Sequence, residues 1–288
     1  MAGILSPRLG VLALLAIATT FGSNHVAARV ALDHGASVTT AVAVRSAFTA
    51  LVLLALMRVS GVAMVLPRTT LARGAIVGLL IAIQSFCLYS AVARIPVALA
   101  LLAFNTFPML LALFSWASSG ERPRPAALVA MPIALIGLGL ALDIFGKPVE
   151  PAGIAWALGA AVSFALALLL TARWLKDVDG RLRTFVTMGV TAVLVIGAGW
   201  AGDAFALPQA AAGWVGLALL SVLYGVAITS LFIVLPRLGP ANYAVVLNFE
   251  PIAVLFIAWA VLGQAVSPLQ MVGGFLVIGA ITLPVVAK

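Results

Sequence analysis

The sequence has few of the residues from which catalytic and metal sites are usually built. It contains one cysteine, two histidines and eight acidic residues in a chain of 288. A single cysteine, Cys87, excludes an internal disulfide and a thiolate metal cluster. The phosphate-loop, zinc-protease and serine-hydrolase motifs are absent as well. We therefore expect no metal, no cofactor, no enzymatic activity and no ATP-driven step.

Charge is also scarce, and this points to a membrane. Charged residues make up 8% of the chain and apolar residues 64%, whereas soluble domains have roughly 25% and 45–50%. The net charge is +8, but no hydrophilic domain exists to present a basic face to nucleic acid. The excess of Lys and Arg is instead expected to set the orientation of the chain in a lipid bilayer.

Long apolar runs fill almost the whole chain. A membrane-spanning helix needs about 20 mainly apolar residues. Windows that meet this requirement cover residues 9–30, 37–57, 72–93, 95–118, 125–145, 152–174, 183–201, 211–235, 238–262 and 267–286. The first window resembles a signal peptide, but it is long enough to span and further spans follow, so we expect it to be retained. The predicted fold class is an all-α integral membrane protein with ten transmembrane helices.

The positive charges lie mainly on one side of this arrangement. If the N-terminus is inside, 12 of the 16 Lys and Arg residues fall in or beside cytoplasmic connections. Short cytoplasmic loops of membrane proteins carry such an excess of Lys and Arg. We therefore expect a multi-pass protein of the bacterial inner membrane with both termini in the cytoplasm.

The two halves of the chain share a frame of residues displaced by 143 positions. Asn105 then matches Asn248, and Pro108 matches Pro251. Further matches are Gly10 with Gly153, Arg94 with Arg237, Ala98 with Ala241, Trp116 with Trp259, Gly120 with Gly263 and Pro125 with Pro268. Residues 1–144 and 145–288 are accordingly interpreted as two five-helix repeats. Because five is odd, the second repeat is inverted, as in many secondary transporters.

The clearest functional signal is Glu250, near the middle of the ninth predicted helix. An ionisable group at that depth is costly, and it usually faces the bundle interior or a wet cavity. We expect Glu250 to line a substrate cavity, where it carries a proton or pairs with a substrate ammonium. The alternative is a buried structural partner for Arg45 or for another donor. Arg45 is itself interpreted as a structural residue within reach of the membrane surface. Phe107 takes the place of Glu250 in the first repeat.

The residues beside Glu250 are given structural roles. A proline removes one backbone hydrogen bond from a helix and crowds the preceding turn. Pro108 and Pro251 are therefore predicted hinges that make room between the halves. Asn105 and Asn248 are predicted to form hydrogen bonds between helices beside these kinks.

Polar and aromatic residues near mid-membrane complete the predicted cavity, which helices 1, 3, 4, 6, 8 and 9 are expected to line. Polar groups suit the head group of an amphipathic solute, and rings suit its side chain. For each hydroxyl or imidazole taken alone, the alternative is a hydrogen bond that holds two helices together. The predicted cavity residues are Asn24, His25, Ser85, Tyr89, Phe107, Trp156, Ser163, Tyr224, Tyr243 and Glu250.

Several motifs, in their order along the chain, resemble the EamA-type branch of the drug/metabolite transporter superfamily. They are Phe21-Gly22-Ser23-Asn24 in the first helix, Arg45 in the second and Gly120-Glu121-Arg122 at the end of the fourth. Pro108 and Pro251 also stand where that family's fourth and ninth helices carry proline. The resemblance covers the whole chain.

Within that branch, Glu250-Pro251 and the overall size look most like amino-acid exporters, including aromatic amino-acid exporters of the YddG type. One departure is Gly263-Gln264, where many relatives repeat the Gly-Glu of the first half. A symmetric role for Glu121 is therefore not expected.

The resemblance implies a secondary transporter that exports amino acids or similar small metabolites by alternating access. Because the sequence contains no ATP-coupling domain, we expect transport either to use an ion gradient, such as a proton gradient, or to run downhill only. Drugs, and nucleosides or sugars, are the runner-up substrates. A lipid-modifying membrane enzyme is a remote alternative. It would need a cluster of His, Asp or Glu at one interface, and the sequence offers none.

Reporter fusions test the predicted topology. Reporters placed after Ser60, Arg122, Asp179 and Lys288 should report the cytoplasm, because these connections carry the positive charge. Reporters near Gly35, Gly146 and Asp203 should report the outside. A consistent reversal of one group alone would contradict the inverted arrangement, since each repeat would then cross the membrane an even number of times.

Overall fold

The structure is a computed structural model that describes residues 7–61, 64–92, 94–95, 97–120, 122–141, 150–253 and 267–286. Within these ranges, the regular secondary structure is entirely helical. The helices are α1 (Pro7–Asp33), α2 (Val38–Val59), α3 (Arg68–Val92), α4 (Val97–Phe104), α5 (Phe107–Ser119), α6 (Pro125–Ala141), α7 (Pro151–Trp174), α8 (Gly180–Ala201), α9 (Ala211–Leu238), α10 (Pro240–Tyr243) and α11 (Pro268–Val286). A 3₁₀ segment, Ala244–Asn248, follows α10, and the helical path continues to Ala253.

These helices coincide with the predicted windows. In the described part of the chain, seven helical spans are long and apolar enough to cross a membrane. The fourth window is divided into α4 and α5, and the ninth begins with α10 and the 3₁₀ segment. The boundary predicted between residues 144 and 145 lies outside the described residues, as do Glu121, Lys288 and residues 254–262 of the ninth window.

The distribution of apolar side chains is that of a protein surrounded by lipid. Large apolar side chains point outward along the spans, with Leu51 65%, Val193 71% and Phe275 73% exposed. Many of the contacts between helices are made by small residues, and Ala134 and Ala161 are completely buried. Small residues let helices approach closely, and close packing drives helix association where lipid and side chains are equally apolar.

Side-chain caps define where two of the spans begin. Ser37 Oγ accepts the backbone N–H of Thr40 at 3.1 Å and begins α2. Asp179 Oδ1 accepts the backbone N–H of Arg181 at 2.8 Å and begins α8. Such caps satisfy backbone donors that a helix cannot pair internally. Hydrogen bonds from the Arg181 guanidinium also hold the pKa of Asp179 below its ordinary value.

The internal repeat is visible in specific contacts. Gly10 is so close to the Leu238 side chain that an added Cβ would overlap it, and Gly153 stands in the same relation to Ile95. Gly10 and Gly153 are 143 positions apart, and so are Ile95 and Leu238. The same contact therefore occurs twice. The first half supplies the glycine in one copy, and the second half supplies it in the other.

The pairing of helices follows the same exchange. In the repeat, α1 of the first half matches α7 of the second, and α3 of the first half matches α9 of the second. The contact of α1 with α9 therefore corresponds to the contact of α7 with α3. The contact of α3 with α8 likewise corresponds to that of α9 with α2. The contacts of α2 with α8, and of α6 with α11, map onto themselves. A pseudo-two-fold relation between the repeats explains all of these pairs.

Arg183 compensates for a proline inside a span. Although it belongs to the charges expected at the cytoplasmic side, its side chain is buried. Its Nη2 donates to the Phe232 carbonyl at 2.5 Å and its Nη1 to the Leu175 carbonyl at 2.9 Å. Pro236, four residues after Phe232 in α9, has no N–H to offer that carbonyl. Leu175 caps the C-terminus of α7, and its carbonyl accepts the backbone N–H of Val178 at 3.2 Å as well as the bond from Arg183.

The crossing of α6 and α11 offers a matched test of this packing. A Cβ at Gly273 would overlap the backbone of Ala141 and lie 2.5 Å from the Gly137 carbonyl oxygen, whereas the adjacent Gly274 has nothing within 4 Å. We expect Gly273→Val to lower the free energy of unfolding by about 1–3 kcal/mol through overpacking. The measurement is the thermal unfolding midpoint of purified protein in detergent. Gly274→Val is the control, and equal effects of the two changes would contradict the observed crossing.

Candidate functional site

Both spans that carry the paired prolines are broken one turn before the proline. Pro108 and Pro251 lack the N–H that would otherwise pair with a carbonyl four residues earlier. In the first repeat α4 ends at Phe104, and α5 begins at Phe107. The Asn105 side-chain amide donates to the Leu101 carbonyl at 2.7 Å beside this break. In the second repeat the corresponding stretch, Ala244–Asn248, is a 3₁₀ helix.

A cavity lies against these breaks, between the two repeats. Its volume is about 60 Å³, so it has room for a few waters. Its polar lining residues are Asn24, His25, Arg45, Gln84, Ser85, Tyr89 and Glu250. Its aromatic and aliphatic lining residues are Phe21, Leu88, Phe104, Phe107, Phe164, Tyr224, Ile228, Leu231 and Leu247.

The acidic group of the cavity is held by a histidine. His25 Nε2 lies 2.6 Å from Glu250 Oε1, and both side chains remain partly exposed, at 29% and 15%. The partner of Glu250 is thus His25 on α1 and not Arg45, the partner considered in the structural alternative. An imidazole and a carboxylate at this distance can form either an ion pair or a neutral hydrogen bond.

Asn24, the neighbour of His25, is buried in the same wall. Its Oδ1 has no hydrogen-bond partner among the described residues. A buried amide oxygen without a donor is costly. Asn24 and Glu250 therefore both present oxygen acceptors to the cavity.

Arg45 is more deeply placed than the sequence suggested. Only 5% of the residue is exposed. Its Nη1 donates to the Tyr89 hydroxyl at 3.2 Å and its Nη2 to Ser85 Oγ at 3.0 Å. Its guanidinium carbon lies 4.0 Å from the centre of the Tyr224 ring, a cation–π distance. Arg45 is thus part of the cavity wall and does not extend to the membrane surface.

Three phenylalanines form an aromatic wall. Phe107 and Phe164 meet edge to face with ring centres 4.9 Å apart. Phe104 lies 5.4 Å from Phe107 and 5.5 Å from Phe164, measured between ring centres. These are favourable separations for aromatic pairs. The broken helix α4–α5 supplies two of the rings, so the break itself positions this wall.

The two repeats contribute different chemistry to matching positions. Glu250 corresponds to Phe107, and His25 corresponds to Leu168 at the same displacement of 143 residues. The polar pair between the first and ninth spans is therefore replaced by an apolar contact between the fourth and sixth spans. The symmetric scaffold consequently encloses an asymmetric, amphipathic cavity.

Most of the predicted cavity residues come together, and three do not line the cavity. Trp156 packs edge to face on Phe86, with ring centres 5.7 Å apart. Ser163 Oγ donates to the Leu80 carbonyl at 2.8 Å, as a contact between α7 and α3. Tyr243 is buried in the apolar core. The predicted residues that line the cavity are Asn24, His25, Ser85, Tyr89, Phe107, Tyr224 and Glu250.

The other predicted positions are buried nearby. Pro108 and Pro251 lie at the breaks described above. Asn105 and Asn248 are buried, at 3% and 1% exposed. Asn248 Oδ1 has no partner in the part of the chain that the structure describes. The interhelical hydrogen bond predicted for Asn105 is instead made within its own span, to Leu101.

Sequence reasoning missed several lining residues. The polar lining residues that were not predicted are Arg45 and Gln84. A search for ionisable or amide groups near mid-membrane would have included both. Phe104 and Phe164 carry no comparable signal, since phenylalanine is ordinary in an apolar helix. Only the tertiary contact of α4, α5 and α7 reveals that these rings form one wall.

Comparison with known proteins identifies the fold and the family. A solved structure titled only "Crystal structure of protein" matches with a TM-score of 0.81 over 96% of each chain, at 19% identity, and this likeness shows the fold alone. No curated protein matches the sequence. The family described as "EamA-like transporter family" matches twice, over residues 8–142 and 151–286. The prediction of an all-helical protein of two five-helix repeats is thus confirmed, and this multi-pass membrane protein belongs to the EamA-like transporter family.

Proposed function

We propose that this protein is a secondary transporter of the bacterial inner membrane that exports amino acids, aromatic ones among them. The observation that carries the proposal is the pair of His25 Nε2 and Glu250 Oε1, 2.6 Å apart on the wall of a partly aromatic cavity. An exchangeable acid–base pair inside a membrane is typical of substrate and proton pathways. As a member of a transporter family, the protein is assigned no catalytic reaction.

The cavity suits the two ends of an aromatic amino acid. Glu250 and the free Oδ1 of Asn24 are acceptors for an ammonium group. The rings of Phe104, Phe107 and Phe164 offer apolar contact to a side chain. Aromatic pairs are worth about 0.5–1.5 kcal/mol beyond the burial of their area. Head-group recognition and side-chain preference therefore come from different residues of the lining.

The pair also supplies a route for proton coupling. In the ion-paired form His25 is protonated and Glu250 is ionised. A substrate ammonium that binds Glu250 replaces His25 as the partner of the carboxylate. The imidazolium loses its counter-ion in a water-poor site, and it releases its proton. Binding of one ammonium thus releases one proton, which couples transport to a proton gradient.

Transport by alternating access requires the cavity to enlarge. Its present volume of about 60 Å³ is far below the roughly 300–1,000 Å³ of pockets that enclose drug-sized ligands. The breaks beside Pro108 and Pro251 already lack regular helical hydrogen bonds, so bending there sacrifices few of them. We propose these breaks as the hinges, with Asn105 and Asn248 buried beside them.

Lipophilic amines, as in many drugs, are the second candidate substrates. The same carboxylate and the same aromatic wall would accept them. Nucleosides and sugars are less well served, since the three phenylalanine rings of the lining offer no hydrogen bonds to hydroxyl groups. Amino acids differ from lipophilic amines in that they also carry a carboxylate.

Replacement of Glu250 tests the role of its charge. Glu250→Gln keeps the shape and removes the charge, so an ammonium loses its counter-ion at every pH. We expect at least a tenfold loss in kcat/KM, equivalent to about 1.4 kcal/mol, with little change in thermal stability. The measurement is uptake of labelled phenylalanine into liposomes that hold purified protein. Glu150→Gln, at an exposed position before α7, is the control. Wild-type transport by Glu250→Gln at all pH values would show that the carboxylate is structural.

Replacement of His25 separates proton coupling from binding. His25→Gln retains a hydrogen-bond donor for Glu250, but the amide of glutamine does not titrate and so cannot release a proton. We expect this variant to exchange internal for external phenylalanine while a pH gradient no longer drives accumulation. His34→Gln is the control, because His34 bonds to the Val30 carbonyl on the same helix and lies outside the cavity. Normal gradient-driven accumulation by His25→Gln would exclude His25 as the proton carrier.

A further inference from the structure

Arg45 is a buried cation without a described counter-ion. It is 5% exposed, and its hydrogen-bond partners in the described ranges are two neutral hydroxyls, on Ser85 and Tyr89. The carboxylate in the same cavity, Glu250, is held by His25 instead. A guanidinium buried among neutral groups is expensive, because hydroxyls replace only part of the stabilisation that an anion provides.

The arrangement around Arg45 leaves donors free in the plane of the guanidinium. Arginine has five N–H donors, and the two bonds to hydroxyls use one on each terminal nitrogen. Tyr224 covers a face of the group at 4.0 Å. Stacking on a face fixes the plane and leaves its edge for a carboxylate, which arginine binds through parallel hydrogen bonds.

Arg183 shows what a structural arginine looks like in this protein. It is equally buried, at 5% exposed, and the Nε atoms of both residues lack described partners. The terminal nitrogens of Arg183, however, donate to the backbone carbonyls of Leu175 and Phe232, and the second of these loses its helical donor to Pro236. Arg45 satisfies no backbone carbonyl among the described residues, and it lines the cavity. Its position is therefore explained by a ligand better than by the scaffold.

We propose that Arg45 is an anion subsite that binds the carboxylate of the transported solute. The proposal rests on the proposed function, and it narrows the substrate class to solutes that carry both an ammonium and a carboxylate. Glu250 and Arg45 then recognise opposite charges of one zwitterion. Ser85 and Tyr89 are positioning residues that hold the guanidinium. An amine without an acidic group leaves Arg45 uncompensated and is a poor ligand.

Three related ligands test recognition of the ammonium and of the carboxylate separately. Phenylalanine carries both groups, phenethylamine lacks the carboxylate, and 3-phenylpropionate lacks the ammonium. Binding of each to purified full-length protein is measured by calorimetry for the wild type, Arg45→Gln and Arg45→Lys. Arg58→Gln is the matched control, since Arg58 lies at the exposed end of the same helix α2. Thermal unfolding confirms that each variant is folded.

We expect Arg45→Gln to weaken binding of phenylalanine and 3-phenylpropionate at least tenfold and to leave phenethylamine unchanged. Arg45→Lys keeps the charge but not the planar fork, so it should show the same selectivity with a smaller loss. If Arg45→Gln does not fold, the binding of the three ligands by Arg45→Lys tests the anion subsite. Arg58→Gln should bind all three ligands as the wild type does.

The outcomes distinguish this subsite from the proposed function. Folded Arg45 variants that bind all three ligands normally, or lose all three equally, would overturn the anion subsite while export of amino acids could stand. Binding of 3-phenylpropionate that depends on Arg45, without transport of phenylalanine, would keep the subsite and overturn amino-acid export. Failure of the wild type to bind any ligand with a carboxylate would also overturn the subsite.

Discussion

The absence of water from the hydrocarbon core is the constraint on which the rest of this structure depends. Lipid satisfies neither the backbone carbonyls nor the charges within the spans, so their partners must come from the protein, from a water-filled cavity or from a ligand. Arg183 shows the consequence, since its guanidinium serves the carbonyl that Pro236 leaves free in α9. Where the chain departs from regular helix, at Asn105 and in Ala244–Asn248, the backbone lies buried against the cavity and away from lipid. Irregular backbone at membrane depth is tolerated only in such places.

The same constraint explains how a symmetric scaffold acquires an asymmetric site. The small-residue contacts that hold the repeats together, such as Gly10 on Leu238 and Gly153 on Ile95, are preserved in both halves. The positions that face the cavity are free to differ. Glu250 in one half is Phe107 in the other, so one of the two matching positions is charged and the other is aromatic. Packing thus preserves the repeat, and the lining of the cavity departs from it.

The sequence predicted the fold well because each span reports its own apolar length, and lipid leaves few other solutions. Both spans that carry the paired prolines are irregular in the structure, and the role of these prolines as hinges stays a prediction. Partners across the cavity were harder to predict. A single helix indicates that Glu250 faces inward, but the choice between His25 and Arg45 depends on how α1, α2 and the ninth span are rotated against each other. Arg45 seemed close to the surface because its depth along α2 was counted without the α3 and α9 residues that cover it.

The charges of the cavity lining give the proposed cycle a direction. The described lining residues that carry charge are Arg45, Glu250 and, when protonated, His25. Before the substrate binds, their sum is one positive charge. Binding of a zwitterion adds no net charge, and the release of the His25 proton leaves the loaded cavity neutral. On this mechanism export of the solute carries no charge, and the return of the empty, protonated carrier brings one positive charge into the cell. A membrane potential that is negative inside favours this return by about 2.3 kcal/mol per 100 mV, so both the potential and the pH gradient would drive export.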